Sequence, residues 1–262
     1  MNTGEAAWSN QESAYTGILE RTVRAYLLAQ DAAAALADGL ATKAAARFAA
    51  VEKAEEELDR LDREIDATVA LAIAEVEPKQ ARELLSAVKM VIDLERIGDL
   101  LASVADCARA LGERMEPEDV GELIRAVSLL ERMLADLHGA FLVRNVDRAM
   151  AVLRMDAEID RLRNLLIIRH LEQAQFCGPR QSIHVLFMVQ SLERAGDHAK
   201  NLAEEICHLA SGQTLRHLLP RKVKSDEQMY LEWLRRQHGI DEPLPPEKAA
   251  AQDWKSSNKL TS

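Results

Sequence analysis

The chain has 262 residues, enough for one large domain or two of ordinary size, each with a real core. Its apolar fraction is 48% but only 4% is aromatic, so Ala, Leu, Val and Ile must supply the interior, which is a helical composition. A formal net charge of −10 argues against a general nucleic-acid binder, because such a protein needs a basic face to exchange for the counterions on phosphates.

The chain opens with MNTGEAAWSN, which lacks the basic and apolar regions of a signal peptide, and no later apolar run approaches the ~18 residues of a membrane span. The expected location is the cytoplasm, with any peripheral attachment to the inner face of the membrane made through partners. Apolar residues then recur at three- and four-residue spacing, predicting helices over 13–37, 41–75 and 79–111, with breaks near Asp38-Gly39 and Pro78. Gly112 to Pro117 has turn chemistry and reads as a linker. The pattern restarts over 118–143, 146–175 and 180–210, with Arg144-Asn145 and Gly178-Pro179 at the breaks. No stretch alternates convincingly with period two. The expected fold is all-α: two tandem, pseudo-symmetric three-helix bundles, over 13–112 and 117–212, in which each helix buries one stripe against its two neighbours.

Beyond Gly212 the character changes. The segment from 218 to 262 is polar, carries Pro243, Pro245 and Pro246, and is expected to be a largely disordered tail. A short helix is predicted within it at SDEQMYLEWLRR, capped by Ser225 and Gln228. Cys107, Cys177 and Cys207 form no Cys-x-x-Cys pair and are read as buried thiols in a reducing compartment.

One phrase is written twice: DLERIGDL at 93–100 and SLERAGDH at 191–198. At about 100° per residue, Glu95, Asp99 and Asp106 fall within roughly 40° of one another on a helix, beside an apolar arc of Val91, Leu94, Ile97, Leu101 and Val104. Glu193, Asp197 and Glu204 repeat the stripe, with Asn201 one turn beyond Asp197. The preceding helices carry a second duplicated motif: KAEEELDRL at 53–61 aligns with RMDAEIDRL at 154–162, matching Glu55 with Asp156 and Asp59 with Asp160. Like charges one turn apart cost a few tenths of a kcal/mol on an isolated helix and more where water is excluded, so positive charge should sit beside them.

Two sources of that charge fit the spacing. One is a pair of surface ion pairs, Arg96 with Asp99 and Arg194 with Asp197. The other is a metal ion or cluster in each half, and oxygen-only ligands suit hard cations such as Mg²⁺, Mn²⁺, Ca²⁺ or Fe³⁺. Gly98 and Gly196, each costing about 1 kcal/mol relative to Ala inside a helix, predict a tight helix crossing next to the carboxylates.

The phrases LERIGD and LERAGDH, with NLAEEI after the second, resemble those of the PhoU family of cytoplasmic negative regulators of phosphate uptake. The similarity extends through Pro78 and the KQARELLSAVKMVIDLERIGD that follows, AFLVRNVDRAMAVLRMDAEIDRL at 140–162 and GQTLRH at 212–217, and covers residues 13 to about 217. The first helices depart from the family in lacking its usual Met-Gly phrase and in being richer in alanine. The resemblance implies two three-helix bundles and a protein that is not an enzyme. It further implies metal cations, whether iron, magnesium, manganese or zinc, held by carboxylates on helices 2 and 3 of each half. Carried over by position, these ligands are Glu55, Asp59, Glu95 and Asp99, then Asp156, Asp160, Glu193 and Asp197. The implied partners are a phosphate ABC transporter and a membrane sensor histidine kinase; a homo-oligomer, a dimer, is expected, and no nucleic acid.

The alternatives are a regulator of a different, sodium-coupled phosphate carrier, a di-iron carboxylate enzyme and a purely helical, metal-free scaffold. A di-iron site wants Glu-x-x-His on two helices, and the chain offers it once, at Glu205 and His208. On the favoured reading His184, His198 and His208 are ordinary helix-surface or core-edge residues. No Walker phosphate loop, His-Glu-x-x-His or Gly-x-Ser-x-Gly occurs.

Overall fold

The computed structural model describes the backbone of residues 3–172 and 179–211, and the side chains of 14–172 and 182–210. The expected tail, the helix at SDEQMYLEWLRR, Cys177 and the break at Gly178 lie outside the described residues. The described chain forms six long helices and one short 3₁₀ turn: α1 Thr3–Thr42, α2 Ala45–Glu75, α3 Pro78–Leu111, the turn Gly112–Arg114, α4 Pro117–Val143, α5 Val146–Glu172 and α6 Pro179–Ser211. None of them is long and apolar enough to cross a membrane.

Local chemistry sets the ends. Pro78 and Pro117 occupy the first turns of α3 and α4, where a missing N–H leaves nothing unpaired, and Glu77 with Gln80 forms a reciprocal capping box ahead of α3. The helix expected to stop near Asp38-Gly39 runs on to Thr42 instead. Gly39 serves packing, since a Cβ there would meet the Phe48 ring at 2.9 Å, and the turn falls on Lys43 at φ 56°. Arg144 closes α4 at φ 50°, a costly conformation for a side chain. Its guanidinium offsets that cost by reaching Glu83 of α3, 2.9 Å away, which also accepts the Tyr15 hydroxyl of α1.

Helices α1–α3 pack as one bundle and α4–α6 as the other, and the bundles join along α3 with α6 and α1 with α4. This leaves α2 and α5 as the outer helices. The expected apolar arc of α3 is wholly buried, Val91, Leu94, Ile97, Leu101 and Val104 all being at 0% exposure. The α1–α4 joint is built on Tyr26, fully buried and stacked on His138 and Phe141. Burial, then the charges of Asp93 and Glu205, push its hydroxyl well above the usual tyrosine range, so it stays neutral.

At the start of α4 the buried Asp119 holds three elements together. Arg169 Nη1 donates to its Oδ1 at 3.2 Å and His170 Nε2 to its Oδ2 at 3.1 Å, both from the last turn of α5. His170 Nδ1 in turn lies 3.2 Å from the Ser182 hydroxyl of α6. Of the thiols, Cys207 is buried as expected, but Cys107 is only half-buried.

The two repeated glycines make the anticipated crossings. A Cβ on Gly98 would lie 2.7 Å from Leu58 Cδ1 and 3.7 Å from the Glu55 Cα, and one on Gly196 would lie 3.2 Å from Ile159 Cδ1 and 3.3 Å from Asp156 Oδ1. Gly98→Ala gains about 1 kcal/mol of helix propensity but overpacks a fully buried leucine at about 1–3 kcal/mol, so a net loss of about 1 kcal/mol is expected. Gly196→Ala, facing looser neighbours, should be close to neutral. Denaturant midpoints of the two variants check this; a Gly98→Ala protein stabilised by the full propensity gain would show that α2 does not press on α3 there.

Candidate metal centre

Glu55 and Asp59 sit one turn apart on α2 and face Glu95 and Asp99 of α3 across the Gly98 crossing. Glu55 and Asp99 lie close enough for their negative charges to oppose each other. Burial, followed by the charges of Asp99, Asp59 and Glu56, raises the Glu55 carboxyl above its ordinary range. Glu95 is raised by burial and then Asp99, with Arg96 opposing and Asp62 and Asp59 adding to the rise. Asp62, which the sequence reasoning did not single out, is also raised, by burial and then by Asp66 and Asp59.

The arginines at this site are surface residues. Arg96 lies 3.2 Å from Asp99 and 3.4 Å from Glu95, and Arg63 2.6 Å from Asp59, with side chains 56% and 67% exposed. The Arg96–Asp99 ion pair expected from the spacing is therefore present. Pairs this exposed are weak, and their arginines move into water at little cost.

The second half places its carboxylates at the corresponding crossing but surrounds them differently. Asp156 is 1% exposed and lies against Gly196, while Glu193 faces Arg163 at 3.1 Å. Asp197 is half-exposed and pairs with Lys200, one turn on, rather than with Arg194 as the spacing suggested; the same Lys200 amine lies 2.9 Å from Asp156 Oδ2. Burial works against the Lys200 charge, yet the carboxylates of Asp197 and Asp156 beside it outweigh that and hold the amine protonated. Glu193 is raised by burial, with Arg163 opposing and Asp197 and Asp160 adding to the rise. Asp160, also on α5, is half-buried.

Among the described residues, no three His, Cys, Asp or Glu side chains converge as a ready-made metal cage. In the first half the donor set nevertheless fits a hard cation, since among the described residues the crowded oxygen ligands face arginines that are exposed at the surface. In the second half the fit fails, because chain cations lie among the donors. Among the described residues, surface depressions lie elsewhere, such as those beside Gly39, Phe48 and Met115 and beside Asp31, Arg47 and Glu131.

A further polar cluster joins the two copies. His198 Nδ1 lies 2.7 Å from Asp93 Oδ1, and Asn201 Nδ2 donates to the same oxygen at 3.2 Å. Nearby, Ser86 donates to Glu205 at 2.5 Å and Lys89 Nζ lies 3.3 Å from it, which commits Glu205 to the α3–α6 joint. The signal was present in the sequence: Asp93 and His198 stand where the other copy has Ser191 and Leu100, so the letters that differ pair with each other.

Comparison with known proteins places the chain in a family. The PhoU domain pattern matches twice, over residues 22–108 and 123–206. The chain is 31% identical over 182 residues to the phosphate-specific transport system accessory protein PhoU homolog of Pseudomonas aeruginosa, covering 67% of this chain and 75% of that one. It is 29% identical over 181 residues to PhoU homolog 1 of Thermotoga maritima, covering 67% and 77%. Among solved structures, the phosphate transport system regulatory protein PhoU of Streptococcus pneumoniae superposes with a TM-score of 0.71 at 22% identity, covering 78% of this chain and 98% of that one. PhoU of Pseudomonas aeruginosa does so with a TM-score of 0.64 at 26% identity, covering 80% and 99%. With one domain pattern matched in each half, the same fold, and a duplicated acidic motif at equivalent crossings, the chain belongs to the PhoU family.

Proposed function

We propose that this protein is a negative regulator of phosphate uptake and phosphate-starvation signalling, a helical adaptor acting with a phosphate ABC transporter and a membrane sensor histidine kinase. The observation that supports this most is the double match to the PhoU domain, together with relatives named as accessory proteins of a phosphate-specific transport system. The adaptor acts as a homodimer in the cytoplasm and reaches the membrane through those partners. A di-iron enzyme is disfavoured by Glu205, whose carboxylate is engaged by Ser86 and Lys89.

On the same reading the first bundle holds a hard cation. Glu55, Asp59, Glu95 and Asp99 are its ligands, with Asp62 beside them, and oxygen donors of this kind suit magnesium, manganese or iron. Bound there, the cation neutralises crowded carboxylates and clamps α2 to α3.

Deleting the gene should derepress phosphate-starvation transcription and disturb phosphate uptake. Reporter activity and phosphate uptake, measured in rich and poor phosphate, test this. A deletion strain unchanged in both would sink the regulatory reading.

The raised carboxyls give a second test. Because Glu95 binds its proton more tightly in the folded chain than at its ordinary value of 4.5, its contribution to stability is full below that value. The contribution is lost as pH rises through the higher folded value. Glu95→Gln should therefore stabilise the metal-free protein at neutral pH by a few tenths of a kcal/mol, an advantage that fades on acidification. With millimolar Mn²⁺ the order should reverse, since the variant lacks a ligand. Melting curves with and without Mn²⁺ check both signs, and an order unaffected by Mn²⁺ would count against a cation at this crossing.

A further inference from the structure

The two copies of the repeat differ at two positions that face their carboxylates. Where α2 carries Asp62, α5 carries Arg163, and where α3 carries Ala102, α6 carries Lys200. Arg163 is 1% exposed, and its Nη1 lies 3.1 Å from Glu193 Oε1. Lys200 Nζ spans Asp156 and Asp197, which belong to different helices, and lies 2.9 Å from the Asp156 oxygen. Two positive charges supplied by the chain thus stand among carboxylates that correspond to those of the first bundle.

We propose that the second bundle carries its cations covalently: Arg163 and Lys200 fill the place that a metal ion would take among Asp156, Asp160, Glu193 and Asp197, so that metal exchange is confined to the first bundle. This rests on the reading of the first bundle as a divalent-cation site. A divalent ion entering the second crossing would have to displace a buried guanidinium that cannot lose its proton, together with an ammonium already ion-paired with two carboxylates. Both groups would then remain close to the incoming charge and repel it. The first bundle presents no such barrier, because Arg63 and Arg96 are exposed and leave readily. The consequence is a division of labour in which α5–α6 packing is indifferent to metal supply and α2–α3 packing responds to it.

The test uses the full chain freed of metal, Mn²⁺ as the probe, and two readouts: free Mn²⁺ by electron paramagnetic resonance and the melting temperature. Glu95→Gln with Asp99→Asn should abolish tight Mn²⁺ binding and make the melting temperature insensitive to Mn²⁺. Lys200→Ala should lower the metal-free melting temperature by several degrees, whereas Lys200→Arg, which keeps the charge, should leave it near the parent value. Should Lys200→Ala fail to fold, Lys200→Gln replaces it in the same comparison. Copying the first bundle's letters into the second, Arg163→Asp with Lys200→Ala, should create a new Mn²⁺-dependent rise in melting temperature. The proposal is overturned if the Glu95→Gln/Asp99→Asn protein retains a bound Mn²⁺ that Asp156→Asn removes, or if neutralising Lys200 leaves the metal-free protein as stable as before. A parent chain that binds no Mn²⁺, yet loses stability when Lys200 is neutralised, would instead refute the first-bundle reading and leave the covalent cations of the second in place.

Discussion

The structure depends on how closely the outer helix of each bundle approaches its third helix. At Gly98 and Gly196 the missing side chain lets α2 press on α3 and α5 on α6, with the nearest side-chain atoms 2.7 Å and 3.2 Å from where a Cβ would sit. A glycine inside a helix is a local loss, so the sequence keeps it only where the closer packing outweighs that loss. The close approach brings carboxylates from two helices together at each crossing. Burial first, and then that crowding, raise Glu55, Glu95 and Glu193 above their ordinary range, and positive charge opposes the rise.

The two halves answer the same electrostatic problem differently. In the second half the answer is inside the chain, in a buried arginine and a lysine that bridges α5 and α6. The first half has an aspartate and an alanine at the matching positions, and only exposed arginines nearby. Breaking a buried ion pair typically costs about 3–5 kcal/mol because it strands a charge, whereas an exposed pair is worth about 0–1 kcal/mol. The second crossing is therefore the fixed one and the first the adjustable one. The copies are also tied to each other, since Asp93 of the first phrase takes His198 and Asn201 of the second across the α3–α6 joint.

Most of the helical architecture was legible in the sequence because periodicity and punctuation agreed. Pro78, Pro117 and Arg144-Asn145 mark real ends, and the apolar arc of α3 is the buried one. Gly39 misled because a glycine serves a turn or a close approach equally well, and here the Phe48 ring uses it. The carboxylate groups were legible from their duplication. Arg96 as the partner of Asp99 was legible too, but the counter-charge of the second half was not, because spacing along one helix points to Arg194 for Asp197, whereas Lys200 also reaches Asp156 on α5 and so has a second partner. The anchor made by Asp119, Arg169, His170 and Ser182 joins residues from three helices, and no periodicity within any one of them reveals it.

The asymmetry between the two crossings is the central claim, and direct location of the metal tests it best. Crystals of the metal-free protein soaked in Mn²⁺ and measured at a wavelength where manganese scatters anomalously would place each ion without reference to stability. The account predicts an anomalous peak between α2 and α3, bounded by Glu55, Glu95 and Asp99, and none between α5 and α6, where the Lys200 ammonium stays on Asp156 and Asp197. A peak among Asp156, Glu193 and Asp197 with Lys200 swung away, or peaks of equal height at both crossings, would contradict it.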